Sequence, residues 1–517
     1  MEAVLVSAKR EGSTITITVV SDSQGRYSFP KAKLQPGRYV LRIRAAGYEL
    51  EAPQTTEVTA QKTAELNLKL RKTSDLASQL TNSEWLLSAP GSKADKEPLM
   101  HCQDCHSLER IFRSHYNADE VAKVAERMKH YFPGSSPERP QLLRPTQPAR
   151  GNVGLPADAV TYVSKINLSS APQWPYPLKT LPRLKGKSTR VIITEYDLPR
   201  PDTMPHDTIV DFDGTIWYCD FGQQYLGHLD PTTGEAVEYA VPALRPGFPT
   251  GCRDVVLDQE GTLWLTTWSH QAVAKFDRKT GQFQTWSLPK GMDKDSDPLL
   301  TGLMPKYVQV DGKIWAQLSG ARMQRLDIRT GEWEREPLSV FKNIPPSSPA
   351  AAYKEHSIYN IFSDSKNNGY FSDFSNEFIG KVDAKTKEIT FYSIPTRQSA
   401  PRRGTMDRQD RLWFGEFFGN RIGMFDTKTG KVQEWEIPTP FSGPYDAVMD
   451  KAGYVWTGGM SSDHIARLNT KTNELVEYQL PRSTNIRKVD VDNTSDRPAL
   501  WVGNTHAASI IKVEPLE

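Results

Sequence analysis

"RLWFGEFFGNRIGMFDTKTGKVQEWEIPTP", residues 411–440, holds the unit from which most of this 517-residue chain is built. A strand centred on an aromatic is followed by an outer strand that ends in proline. The aromatic strand recurs as "TIWYCD", "TLWLTT", "KIWAQL", "GYFSD", "RLWFGE", "YVWTGG" and "ALWVGN", centred on Trp217, Trp264, Trp315, Tyr370, Trp413, Trp456 and Trp501. Steps of roughly 45 residues are the period of four-stranded propeller blades. Six outer strands follow these units, and a seventh, "ITEYDLP" at 193–199, precedes the first. Pairing that early strand with the last segment would leave the ring without an open edge. The expectation is a mainly β protein with a seven-bladed propeller over residues 190–517.

The innermost strand of each unit reads as "HDTIVD", "RDVVLD", "KYVQVD", "YNIFSD", "RRGTMD", "YDAVMD" and "RKVDVD". Their first residues, His206, Arg253, Lys306, Tyr359, Arg402, Tyr445 and Arg487, should ring the mouth of the central channel. Because the second strand runs antiparallel to the first, its end returns to the same mouth. That adds Asp220, Thr267, Leu318, Asp373, Glu416, Gly459 and Asn504. Two readings of this charge-rich ring stand. The groups satisfy one another around a wet channel, or they form a pocket for an anionic or polyhydroxylated small molecule, with guanidinium forks suited to carboxylate or phosphate. Tyr359 and Tyr445 would then serve in proton transfer or stacking.

With its W-F-x-E, N-x-I-G and E-x-x-I/L-P-T-P elements, the stretch 411–440 resembles the streptogramin B lyase (virginiamycin B lyase) family, and the likeness runs over about residues 190–517. It implies opening of a cyclic depsipeptide by elimination, with a histidine base in a Pro-His-Gly element and a magnesium ion held by glutamates. The late blades here carry Gly443-Pro444-Tyr445-Asp446 and Asn485-Ile486-Arg487-Lys488 instead. Pro205-His206 keeps a Pro-His pair, followed by Asp207, and Glu416 keeps the W-F-x-E carboxylate. A cation where the base belongs cannot take a proton at neutral pH. A metal-assisted carbon–oxygen lyase, with a divalent metal in the propeller, therefore stands as an alternative.

Upstream, residues 1–71 alternate like half-exposed strands. "SDSQGRYSFPKAKLQPGRYVLRIRAAGYE" resembles the carboxypeptidase regulatory-like domain through Gly25, Tyr27, Phe29, Leu34, Pro36, Gly37, Tyr39, Gly47 and Tyr48, which implies a transthyretin-like β-sandwich without catalytic residues. Residues 72–150 have a helical texture. In "NADEVAKVAERMKHYF", Val121, Val124, Ala125, Met128 and Phe132 share one face, and Asn117 with Glu120 has capping-box spacing. Residues 151–189 are rich in proline and read as an extended linker.

Within the helical region Cys102-Gln103-Asp104-Cys105-His106 has the C-x-x-C-H attachment spacing of one covalently held c-type haem. Each thiol would form a thioether to a vinyl group, and the next histidine would reach the iron. A structural zinc site would need a second close pair, but Cys219 and Cys252 are far apart in the repeats. A redox thiol pair would need a βαβ setting. For the second axial position Met128 is the expected ligand, with His130 and His115 as rivals. "LTNSEWLLSAPG…HCQDCHSLERIF" also resembles cytochrome c modules fused to periplasmic oxidoreductases. Cys219 and Cys252 form either a disulfide at one rim or two separate buried thiols.

Composition sets limits on partners. A formal net charge of +2 gives no general affinity for nucleic acid or membranes, and no apolar run approaches the length of a membrane-spanning helix. "MEAVLVSAKREGST" lacks the basic start and apolar centre of a secretory leader, so the export that haem attachment implies requires a leader outside this chain. The expectation is a periplasmic or secreted haem c protein that exchanges electrons with a cytochrome or dehydrogenase and binds or oxidises a polar small molecule at the propeller mouth. A metal-assisted lyase with an accessory haem and a non-catalytic binding scaffold are the competing readings, and a quinone in the channel would be a second redox cofactor.

Overall fold

The computed structural model describes residues 1–61, 63–145, 155–289 and 300–517. Each blade begins with a short inner strand and a tight turn, and the sequence supplies the clasp that holds the two together. In four blades the aspartate that ends the inner strand accepts the indole N–H of the next strand's tryptophan. These bonds are Trp217 to Asp211 at 2.8 Å, Trp264 to Asp258 at 2.9 Å, Trp413 to Asp407 at 3.0 Å and Trp456 to Asp450 at 2.8 Å. The same carboxylate also accepts turn N–H groups, as Asp450 does from Ala452 and Tyr454. One side chain thus satisfies a buried indole and fixes the hairpin.

Six blades are sheets of their own, starting at Pro205–Val210, Arg253–Leu257, Leu300–Met304, Ile358–Ser363, Pro401–Met406 and Pro444–Met449. The expected count of seven is corrected to six, because the last repeat is not a separate sheet. Its strands Ile486–Asp492, Ala499–Asn504 and Ser509–Pro515 pair with Val191–Asp197 and continue into Ile15–Val20, Leu5–Arg10, Gly37–Arg44 and Gln54–Val58 as one eight-stranded sheet. Val191–Asp197 matches Ile511 to Glu195 on one side and Ile17 to Thr194 on the other. Being central, it is buried along nearly its whole length. The expected pairing of first and last segments is present, and its far edge is covered by the N-terminal strands.

Blade three departs from the reading of the sequence. "KYVQVD" is not its inner strand: Val308–Val310 is a 3₁₀ turn, and the strand that pairs with Lys313–Leu318 is Leu300–Met304. The N-terminal region is also less symmetric than a sandwich of two full sheets. Its second layer is the small pair Tyr48–Leu50 and Leu70–Lys72, with Tyr27, Phe29, Leu34 and Leu68 completing the core over Val4, Val6, Ile17 and Val19.

The helical region carries α1 (Asn82–Ser88), α2 (Lys93–Met100), α3 (Glu109–Phe112), α4 (Ala118–Met128) and α5 (Ala157–Ile166). Capping boxes at Thr81, Ser92 and Asn117 start α1, α2 and α4. The expected linker is corrected in part. α5 lies within it and packs Val160, Val163 and Ile166 against Trp85, Leu86 and Phe112, while Trp174 donates to the Phe112 carbonyl at 3.0 Å. Replacing Asp450 with Ala should leave the Trp456 indole buried without an acceptor. Loss of about 1–3 kcal/mol of stability is the expected outcome by denaturant unfolding.

Candidate functional site

The helical unit sits on one end of the propeller channel. Met100, Leu99 and Phe112 share an apolar cluster with Ala400, Phe417, Tyr445 and Met460. Ser83 donates from its backbone to Ser461 O at 2.8 Å and from its hydroxyl to Phe441 O at 2.9 Å, and Lys93 reaches Phe418 O at 2.8 Å. At the centre of this contact is the 3₁₀ turn His101–Asp104, so the two residues between the cysteines enter the mouth. Asp104 accepts from Arg402 at 3.2 Å and from Arg487 at 3.3 Å, and its carbonyl takes a second bond from Arg487 at 2.8 Å. The Gln103 carbonyl accepts from Asn485 at 2.8 Å, and the Asn485 side-chain oxygen in turn accepts from Arg487 at 2.7 Å.

Below that turn the ring residues are joined by rings and short bonds. The Arg402 guanidinium lies 4.5 Å from the Tyr359 ring centre and 4.2 Å from that of Tyr445. The hydroxyls of Tyr359 and Tyr445 are 2.6 Å apart, and Tyr445 lies 3.2 Å from His206 Nε2. His206 Nδ1 meets Asp207 at 2.6 Å, and Asp207 is held by Arg403 at 2.6 and 3.1 Å. Arg403 also pairs with Asp254. The order of donors follows from the carboxylate. Nδ1–H donates to Asp207, so Nε2 accepts from Tyr445 and Tyr445 accepts from Tyr359.

Electrostatics polarise this row. Burial drives the His206 imidazole down to about 3, against the pull of Asp207, so it is neutral. Burial pushes the Tyr359 phenol up, but Arg402 and Arg253 outweigh it and hold the group below its ordinary value. Tyr445 is shifted the other way, by burial and by Tyr359. The result is an acidified outer tyrosine, an intermediate tyrosine and a neutral histidine backed by a carboxylate.

The expected ring is thus partly assembled. His206, Arg253, Tyr359, Arg402, Tyr445 and Arg487 lie together, but Lys306 does not. It follows the true inner strand of blade three, lines a cavity of about 610 Å³ at the other end of the channel, and donates to Met406 O at 2.8 Å. The expected carboxylates are also placed elsewhere. Asp220 binds Arg200 at 2.7 Å and the backbone of Gly222. Asp373 binds His356 at 2.6 Å and Asn376 at 2.9 Å. Glu416 is fully buried with neither oxygen in a well-formed hydrogen bond. Arg403, Asp207 and Asp104, which the ring reading left out, supply the pairing instead. Only the position of Asp207 beside His206 hinted at it.

Cys102 and Cys105, at the edge of this contact, are thiols and not a disulfide, and burial pushes the Cys102 thiol up to about 12. The donor set fits a c-type haem. His106 Nδ1 is 2.9 Å from the Ser107 carbonyl, which leaves Nε2 as the ligating atom in the tautomer that metal-bound histidines adopt. Cys102, Cys105 and His106 are half-buried, and His506 is exposed near them. Met128 is half-buried and belongs to no packed apolar cluster among the described residues, where Val121 and Ala125 hold the inner face of α4. His130 is exposed, and His115 is exposed with its ring bound to Leu168 O at 2.9 Å. Cys219 and Cys252 are two buried thiols in one apolar cluster, Cys252 donating to Tyr225 O at 3.1 Å.

Among the described residues no group of three or more His, Cys, Asp or Glu side chains is arranged to hold a metal ion. No helix is long and apolar enough to cross a membrane among the described residues.

Comparison with known proteins agrees on architecture. Residues 1–71 match the carboxypeptidase regulatory-like domain, and residues 349–515 match the virginiamycin B lyase family. A streptogramin B lyase structure is 24% identical, covers 64% of this chain and 100% of its own, and superposes with a TM-score of 0.53. A virginiamycin B lyase from Staphylococcus aureus is 23% identical over 63% of this chain and 99% of its own, with a TM-score of 0.51. A catalytically inactive form of the S. aureus lyase, crystallised with quinupristin, is 24% identical with the same coverage and TM-score. These likenesses establish the propeller fold. No curated protein matches the sequence.

Glu416 offers a direct check on the buried carboxyl. Burial, with Glu434 adding to it, pushes the group up to about 9. The native state therefore holds a proton that the unfolded chain releases near pH 4.5, and stability falls as pH rises between those values. Glu416→Gln should raise the melting temperature, by a margin that grows from pH 5 to pH 9 in calorimetric scans.

Proposed function

We propose that this chain is an exported haem c protein that oxidises a polar small molecule at the propeller mouth and passes the electrons to a partner cytochrome or dehydrogenase. The observation that carries the reading is the insertion of Asp104, between the two cysteines, onto Arg402 and Arg487, the cations that flank the tyrosine pair. When bound, a haem c accepts and releases single electrons. The protein's own groups handle the proton. Tyr359, held acidic by Arg402 and Arg253, faces the mouth as the base, while Tyr445 and the neutral His206, itself held by Asp207, keep its hydroxyl in line. His106 would be the proximal ligand, and Cys102 and Cys105 the thioether anchors. Met128 is the candidate for the second axial position, with His130 and His115 as its rivals. Thioether attachment takes place outside the bacterial cytoplasmic membrane, which supports a periplasmic or secreted location.

The experiment is a reduced-minus-oxidised spectrum and pyridine haemochrome assay of protein matured with an export and haem-attachment apparatus. A haem c signal lost in Cys102→Ala and Cys105→Ala is the expected result. No signal in the parent chain would end the electron-carrier reading. With a compound found to reduce the haem, Tyr359→Phe should lower the reduction rate by about 10²–10⁴-fold and remove the rising limb of its pH profile.

A lyase reading draws on the match over residues 349–515 and on Glu416. It requires magnesium-dependent ring opening of a cyclic depsipeptide, lost in His206→Ala and in Glu416→Gln. Turnover that survives both substitutions excludes it. Electron transfer without turnover of any small molecule would favour a binding scaffold.

A further inference from the structure

We infer that Arg253 is the anchor for a carboxylate, so that the ligand of the mouth is a small organic acid. This deepens the reading above and rests on it. Among the guanidiniums gathered at this part of the channel, three are occupied. Arg402 and Arg487 bind Asp104, and Arg403 binds Asp207 and Asp254. Arg253 differs. It is 6% exposed, and neither Nε nor Nη2 has a hydrogen-bond partner. Asp254, its neighbour in the chain, is turned to Arg403 and to the Leu303 N–H at 2.9 Å, leaving Arg253 Nε 3.8 Å away.

Buried donors without acceptors are costly, and a guanidinium more so than a neutral group. The surroundings of Arg253 keep it in place without satisfying it. Its guanidinium lies 5.5 Å from the Trp268 ring centre and 5.3 Å from that of Tyr359, so aromatic faces hold the cation while its N–H fork stays unused. The Trp268 indole N–H also lacks a partner. Trp268 and Asp254 both have positive φ, 30° and 53°. For a bulky tryptophan that is a strained backbone, beside the unpartnered Arg253.

A planar fork of unused donors, with its nearest carboxylate taken by Arg403, selects a planar anion. Tyr359, whose ring centre lies 5.3 Å from the Arg253 guanidinium, joins this position to the row of Tyr445 and His206. The mouth already shows the preference, since the carboxylate of Asp104 occupies the neighbouring pair of guanidiniums.

The test is equilibrium dialysis of the full-length holoprotein with radiolabelled acetate, lactate and benzoate, beside glycerol and benzamide as uncharged counterparts. The carboxylates should bind and the uncharged compounds should not. Arg253→Met should weaken carboxylate binding by about 10- to 100-fold, the loss of a charge-assisted fork, and Arg253→Lys should restore part of it. Arg408→Met, in the cavity at the other end of the channel, should change nothing. Equal carboxylate binding by Arg253→Met and the parent would overturn the inference. Uncharged compounds that bind, or reduce the haem, while carboxylates do neither would overturn it and leave the proposed function standing. Haem spectra recorded on every variant separate a lost site from a misfolded one.

Discussion

The pairing of Asp104 with Arg402 and Arg487 is the interaction on which the arrangement of the molecule depends. One carboxylate faces two buried guanidiniums that have aromatic faces below them. Removing it would leave two like charges close together in a poorly solvated space, a penalty far above that of a surface ion pair. Apolar packing of Met100 and Leu99 on Phe417 and Met460 brings the helical unit to the propeller, but such packing tolerates sliding. The carboxylate fixes the register. It also sets the distance between the cysteine pair and the tyrosines.

Much of the architecture is visible in the residues because it is local and repeated. The Asp-to-Trp clasp spans six residues, so an aspartate before each turn and an aromatic after it mark a blade directly. Blade three shows where that fails. Its "KYVQVD" alternates like a strand and ends in aspartate, yet Trp315 donates to Asn367 O instead of Asp311. With no clasp there, pairing shifts to Leu300–Met304, Lys306 leaves the ring, and the motif becomes a turn. α5 was hidden differently, since the prolines around it outweigh a single short amphipathic stretch.

The candidate site was legible as a set of residue types and not as a set of pairs. Tyr359, Tyr445 and His206 could be named from their places in the repeat, but their contact needs blades one, four and six to face one another across the channel. Asp104 could not be connected with Arg402 from the sequence at all: 298 residues separate them, and no periodicity relates a haptic turn in a helical unit to a strand end in blade five. The carboxylates at the ends of the second strands misled for a related reason. Asp220 and Asp373 end their strands at the expected rim, but their side chains turn aside to Arg200 and His356.

The eight-stranded sheet has a consequence for how the polypeptide holds together as an object. Its main-chain ladder joins strands from the beginning, the middle and the end of the chain, with Val191–Asp197 as the common rung between them. A protease that cut the segment between the N-terminal strands and the first blade would sever the covalent path and release nothing. The two fragments would travel together on a gel filtration column and separate only in denaturant, so that the first seventy residues behave as part of the propeller's last sheet and not as a tethered accessory.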